Sequence, residues 1–216
     1  NHYEQSLRIV DRLENEGRGL NLTWEVRDGI AKHSKGKRGA PVGAENANRA
    51  TTLEGQVARV ADIIAYVNHD IDDALRAGLL GESDLPAEPI AVLGGTTSKR
   101  INRLVTDVIL QTMQAELDQV RMSDDILDAL LNLRAYLFEA VYENSDATSE
   151  FQKASGILGG LWEKVHERPE VFLDGGIVAD EGVDAAARDF LAGMTDRFAV
   201  SLYERLFIPK PWVELA

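Results

Sequence analysis

A chain of 216 residues with 44% hydrophobic and 27% charged side chains has the make-up of a globular protein with one sizeable core or two small ones. Its formal net charge of −13 excludes broad, non-specific affinity for nucleic acid, because phosphate contacts need lysine and arginine in excess; nucleic acid is left only an effector's role. The lack of cysteine rules out disulfides, thiolate metal sites and cysteine nucleophiles, and no apolar run is long enough to span a bilayer, so the expectation is a cytoplasmic protein with no membrane partner.

The opening residues, Asn1-His-Tyr-Glu-Gln-Ser-Leu-Arg8, are polar and lack a Met, which reads as a stretch beginning inside a longer protein. From His2 to Glu16, Leu7, Val10 and Leu13 recur at helical spacing until Gly17-Arg-Gly19. A second amphipathic stretch covers Leu22 to His33. A basic, glycine-rich loop follows, from Ser34 through Lys35, Lys37 and Arg38 to Gly43, and stays polar to Ala50. The longest predicted helix runs from about Thr52 to Ala77. Leu79 to Thr97, with Pro86, Pro89 and Gly94-Gly95, reads as a connection, and Ile101, Leu104, Val105, Val108, Ile109 and Met113 mark the next helix. Ser123 is a predicted N-cap for a helix to about Tyr142, with Asp124 and Asp125 where the helix dipole favours acids. Further helices are predicted at Thr148–His166 and Asp184–Leu206, around a loop holding Pro169 and Gly175-Gly176. No stretch alternates as a strand does, so the fold class is all-α.

The long central helix has two unlike faces. At about 100° per residue, Val57, Val60, Ile64, Val67, Ile71, Ala74 and Leu75 gather on one side. Asp62, Tyr66, His69 and Asp73 form a stripe opposite, with Asp70 at its edge. Carboxylates, a phenol and an imidazole on one face are raw material for a metal or phosphate-ester site. An ordinary solvated face has the same composition, with Arg59 and Arg76 spaced to form intrahelical ion pairs. Pattern alone leaves both readings open. His33 beside the basic loop suits a polyanion or plain solvent, and His166 before Arg168-Pro169 suits a helix end.

Several longer motifs decide more. Gln5-Ser-Leu-Arg-Ile-Val10, Gly19-Leu-Asn-Leu-Thr23, Thr52-Leu-Glu-Gly-Gln-Val57, Ala61-Asp62, Ala65-Tyr66, Asn68-His-Asp-Ile-Asp-Asp-Ala-Leu-Arg-Ala-Gly78, Leu191-Ala-Gly-Met-Thr-Asp-Arg-Phe-Ala199 and Leu206-Phe-Ile-Pro209 stand in this order. Together they resemble the deoxynucleoside triphosphate triphosphohydrolases, the dGTPase-like branch of the HD phosphohydrolase superfamily. The resemblance implies that residues 1–216 are the C-terminal portion of a single HD domain, lacking the N-terminal helices that carry a His and a His-Asp pair of metal ligands. It implies hydrolysis of a dNTP to deoxynucleoside and inorganic triphosphate, a divalent metal (Mg²⁺ or Mn²⁺, with Fe, Ni or Co also suited to a mixed His/Asp site) and a homo-oligomer.

By the same resemblance Asp62, in Ala-Asp-x-x-Ala-Tyr, is a metal ligand on an inward-facing side of its helix, completing a site begun by residues outside this stretch, Tyr66 and Asp70 contact the sugar, and Tyr136 lines the base pocket. His2, in His-x-x-Gln-Ser, matches a histidine near the phosphates and is the catalytic candidate. His69-Asp70 is not the family's metal pair, since it follows the final Asp ligand. The residue after that Asp is often basic in the family, and here it is Ile63. Other readings are a catalytically silent helical module for regulation or assembly, and an HD hydrolase of another phosphate ester.

Overall fold

The computed structural model of the protein describes residues 2–33, 49–142 and 145–210; the basic loop at 34–43 lies outside them. Among the described residues every regular element is helical and none is a strand, as the sequence pattern requires. The chain packs as two compact units, Asn1–Glu143 and Asn144–Ala216.

In the first unit, α1 (His2–Arg8) widens into a π turn at Ile9–Leu13, and a short α2 (Glu14–Gly17) leaves helical geometry at Asn15 and Glu16 (φ 58° and 57°). The continuous helix expected to Glu16 therefore ends early. The chain doubles back instead: Leu20 N–H donates to the Val10 carbonyl at 2.8 Å, and Gly19 (φ 71°) lies so close to Asp11 that a Cβ there would meet its carbonyl oxygen at 2.3 Å. Arg27 of α3 (Trp24–Lys32) then grips the Asp11 carboxylate through two bonds of 2.8 and 2.7 Å.

Helix α4 (Leu53–Arg76) is the axis of this unit. Thr52 caps it by accepting from Gly55 N–H, and Ala77 closes it onto the Asp73 carbonyl. Val60, Ile63, Ile64, Val67, Ile71 and Ala74 are buried in one core with Leu93, Leu104, Ile126, Leu130, Leu133 and Leu137. Each large aliphatic side chain buried this way is worth about 1.5–3 kcal/mol. Val57 departs from expectation, being 52% exposed. At that end of the helix Gln56 and Arg59 take the buried positions: Gln56 donates to the Ala50 carbonyl and accepts from Val120 N–H, both at 3.0 Å, while Arg59 donates to the Lys32 carbonyl at 3.1 Å. The Arg59 cation thus sits at the negative end of α3.

The expected connection after α4 holds a 3₁₀ turn (Glu82–Asp84) and a helix, α5 (Ala87–Leu93). Pro89 lies in its first turn, where a missing N–H costs nothing. Helices α6 (Thr97–Gln114) and α7 (Asp124–Leu137) complete the layer on α4. Ser123 holds the N-cap position of α7 as predicted, but its side chain makes no capping bond; its hydroxyl and N–H both donate to Asp107 of α6 at 2.8 Å. After Leu137 the helix loosens into a π turn, Phe138–Tyr142.

In the second unit α8 (Ser145–Glu167), α9 (Pro169–Phe172), α10 (Gly175–Glu181), α11 (Val183–Ala192) and α12 (Asp196–Phe207) enclose Leu161, Ala199 and Leu202. The predicted loop at Gly175-Gly176 is a helix because Asp174 accepts from both Gly176 and Ile177 N–H. The single helix expected over Asp184–Leu206 breaks at Gly193, and Thr195 caps a new one by accepting from Phe198 N–H. His166 joins α8 to α11: Nδ1 donates to the Trp162 carbonyl at 2.8 Å and Nε2 to Asp184 at 2.9 Å.

Two outcomes follow from this packing. Helices α3 and α4 cross glycine to glycine, and a Cβ on Gly55 would meet Ala50 Cβ at 2.7 Å and Gly29 Cα at 3.1 Å. Gly55→Ala is expected to lower unfolding free energy by about 1–3 kcal/mol, read from the urea midpoint. The carbonyl of Trp162 and the carboxylate of Asp184 favour protonated His166 and raise its pKa above the ordinary value. A raised folded pKa means the contact stabilises fully below about pH 6.5 and fades as pH climbs through the folded value. NMR titration is expected to find His166 protonated above the ordinary range, and Asp184→Asn is expected to lower that pKa.

Candidate functional site

Rotation of α4 is set from its buried side. Asn68 lies wholly inside, donating to the Ile64 carbonyl at 2.7 Å and accepting from Arg100 Nε at 2.8 Å. The Arg100 guanidinium, 1% exposed, also donates to Thr97 Oγ1 at 2.9 Å and lies 3.8 Å from Asp72, to which Thr97 donates at 2.5 Å. Burial draws the Arg100 pKa down and the Asp72 carboxylate counters it. With this side fixed, Asp62, Tyr66, His69 and Asp73 emerge on the opposite one, as the helical spacing predicts.

Ordinary intrahelical ion pairs account for part of that face only. Arg76 pairs with Asp73. Arg59 turns inward, and Asp62 has no hydrogen-bond or ion-pair partner among the described residues. Asp62 is exposed, which corrects the expectation that it lies on an inward-facing side of its helix: among the described residues that flank of α4 is open. Ile63 is buried in the core, so position 63 faces away from any phosphate on the Asp62 side.

Towards the N-terminus of α4 the same flank borders a cavity of about 590 Å³ between α3 and α4, lined by Val26, Ile30, His33, Glu54, Gly55 and Ala58 among others. Ala58 is one turn before Asp62, a rise of about 6 Å. His33 Nδ1 donates to the Ile30 carbonyl at 2.6 Å, and the exposed ring of His2 stands edge-on to His33 with centroids 5.3 Å apart.

Towards the C-terminus the structure brings Tyr66 and Asp70 together through Tyr142, a residue the sequence reading missed. Its hydroxyl donates to the Asp70 carboxylate. Its ring stacks on Tyr66, centroids 6.3 Å apart and planes 15° from parallel, and meets Phe138 at 5.1 Å. Arg134 lies over Phe138, 5.5 Å from the ring centre. Burial, and then hydrogen bonding to Asp70 and Tyr66, push the Tyr142 phenol far above its usual pKa. Only the Leu-Phe-Glu-Ala-Val-Tyr142 end of a predicted helix hinted at it. Tyr136 does not join this group: it packs at the edge of the core, where burial and then the charge of Asp84 raise its pKa.

Among the described residues no three His, Asp or Glu side chains gather closely enough to hold a metal ion. Asp62 alone does not make a metal centre, and the described donors do not fit one unaided. What the face offers is a row of polar groups in fixed order: His2 and His33 at one end, the free Asp62 carboxylate, then Tyr66 with the Asp70–Tyr142 pair.

Comparison with known proteins identifies the class. Residues 120–205 match the phosphohydrolase-associated domain. The chain is 44% identical over 217 residues to a deoxyguanosinetriphosphate triphosphohydrolase-like protein of Caldanaerobacter subterraneus subsp. tengcongensis, covering 99% of this chain and 60% of that one. It is 42% identical to a protein of the same description from Clostridium perfringens, again over 60% of its length, and 34% identical to one from Cereibacter sphaeroides, over 68%. The chain belongs to the dGTPase-like family of the HD phosphohydrolase superfamily. It spans about 60% of the length of the first two of these relatives. No helix among the described residues is long and apolar enough to cross a membrane.

The elevated Tyr142 phenol gives a direct check on this geometry. In an absorbance titration through about pH 9–11, where an unperturbed tyrosine ionises, Tyr142→Phe is expected to leave the curve unchanged. Loss of one residue's amplitude there would show Tyr142 to be free of Asp70.

Proposed function

We propose that this stretch belongs to an enzyme that hydrolyses a deoxynucleoside triphosphate to the deoxynucleoside and inorganic triphosphate. The observation that carries the reading is the order of groups along α4. His2 and His33, then Asp62, then Tyr66 and Asp70 follow one another as the outer phosphates, the α-phosphate and the sugar do in such a substrate. Family membership supports it.

Each group has a role in this reading. Asp70, one oxygen engaged by Tyr142, offers its remaining lone pairs to the sugar hydroxyl. Tyr66 and Tyr142 form an aromatic wall against which a sugar lacking its 2′ hydroxyl packs closely. His2 helps to neutralise charge on the phosphates. A divalent ion, Mg²⁺ or Mn²⁺, is the family's expected cofactor. Asp62 is one candidate donor, and because the described residues do not complete a site, no step is derived through the ion. The helix also carries Glu54, Asp70 and Asp73 about two to three turns from Asp62, so a triphosphate calls for cations from elsewhere in the protein.

That acidity and the unaccompanied Asp62 favour a second reading for the stretch on its own, a silent helical module for regulation or assembly. The two separate by assay. A full-length version, carrying protein over the Asp62 flank, is expected to release triphosphate from dNTPs with Mg²⁺ or Mn²⁺, and residues 1–216 alone to release little. Asp62→Ala in the full-length protein is expected to lower kcat at least about 100-fold with the melting temperature unchanged, whereas Tyr142→Phe is expected chiefly to raise KM. Full activity in Asp62→Ala would remove that carboxylate from the mechanism. If only another phosphate ester is cleaved, the substrate assignment changes and the hydrolase reading stands.

A further inference from the structure

We propose that a hollow within the second unit is a binding site for a medium-chain alkanoate, a single carboxylate on a hydrocarbon tail. This inference does not depend on the activity proposed above. The hollow lies between α8, α9, α11 and α12 and has a volume of about 440 Å³. Small-molecule sites commonly measure about 300–1,000 Å³. Its floor is aromatic: Phe172 of α9 and Phe190 of α11 are half-buried against the core of the unit, with ring centroids 6.1 Å apart and planes tilted by 45°. Phe198 of α12 forms an exposed wall, and the remaining apolar lining is aliphatic.

Three cations, Lys164, Arg168 and Arg205, complete the lining, and among the described residues no acid joins them. In a chain of net charge −13 this is a local reversal of sign. Lys164 donates to Glu167 at 2.6 Å, and Arg168 lies 3.8 Å from Glu170. Arg205 has no partner among the described residues. It stands two turns after Phe198 on the same line of α12, so its guanidinium and that ring border the hollow together. With the other two cations matched, the surplus is the charge of Arg205. That charge sits on a planar fork suited to the two oxygens of one carboxylate.

The lining also sets the body of the anion. Lysine and arginine side chains only donate hydrogen bonds, and the other lining side chains are hydrocarbon, so none accepts one. The amino groups of a base, the hydroxyls of a sugar and the N–H groups of a peptide would lie there unpaired, which disfavours each of them. A polyphosphate brings more negative charge than Arg205 leaves unmatched. A hydrocarbon tail with one carboxylate asks for nothing the lining lacks: its methylenes lie on Phe172, Phe190 and Phe198 while its head meets Arg205.

Isothermal titration calorimetry tests the proposal, with octanoate, decanoate and octan-1-ol kept below the concentrations at which the alkanoates form micelles. One decanoate is expected to bind per chain, both to residues 1–216 and to a full-length version. Two further methylenes are expected to make decanoate about tenfold tighter than octanoate. Octan-1-ol, with the tail but not the charge, is expected to bind at least about tenfold more weakly than octanoate. Arg205 and Phe198 are both exposed, so Arg205→Gln and Phe198→Ala are expected to leave the circular dichroism melt unchanged. Arg205→Gln is expected to weaken decanoate about tenfold or more and leave octan-1-ol unaffected, a split that a purely structural role does not produce. Phe198→Ala is expected to weaken both. Absence of decanoate binding, octan-1-ol binding as tightly as octanoate, or indifference to Arg205→Gln would each overturn the proposal. So would displacement of decanoate by dAMP or inorganic triphosphate, or binding confined to residues 1–216, which would show the hollow filled by further chain.

Discussion

A guanidinium sealed from water governs the first unit. Arg100 is nearly inaccessible, yet its charge is matched by hydrogen bonds to Asn68 and Thr97 and by the nearby Asp72 carboxylate. Stripping a cation of water costs several kcal/mol unless the geometry is good, and removing one partner from such a cluster costs about 3–5 kcal/mol. Few rotations of α4 against α6 satisfy it. Gln56 acts similarly near the other end of α4, tying it to Ala50 and Val120. Helix α4 is thereby locked at two places about three turns apart, and the outward placement of Asp62, Tyr66 and His69 is a consequence of that lock.

The candidate site residues come from two parts of the sequence. Asp70 lies well before the segment matching the phosphohydrolase-associated domain, and Tyr142 lies within it. Their hydrogen bond therefore joins the central helix to the end of α7. The π turn at Phe138–Tyr142 adds extra chain to that helical turn, and it is from this turn that Tyr142 reaches Asp70. Widened turns of this kind recur at functional positions because they re-aim a side chain without breaking the helix.

The sequence made the central helix legible to within a residue or two, with its buried Val60, Ile64, Val67 and Ile71 and its polar stripe, because helical period is a local property. Pro86, Pro89 and the Gly175-Gly176 pair misled, since residues that break a helix interior are harmless in its first turn. Val57 misled for a different reason: periodicity identifies a face but not where the neighbouring helix stops covering it. Arg100 and Tyr142 were invisible because each acquires its role from a partner 32 or 72 residues away. The free Asp62 was picked out by resemblance, and its lack of an ion pair emerged only when Arg59 proved to turn inward.

The inward half of α4 is saturated with packing and hydrogen bonds, whereas Asp62 and His69 on its outward half have no described contact to lose. Folding thus rests on one side of this 24-residue helix, and the chemistry proposed for it on the other. Alleles altered at 62 or 69 would accumulate as intact, abundant protein, while alleles at 68 or 100 would be cleared by proteolysis. In a mutational survey of this gene, expression level alone would sort the two sides of one helix.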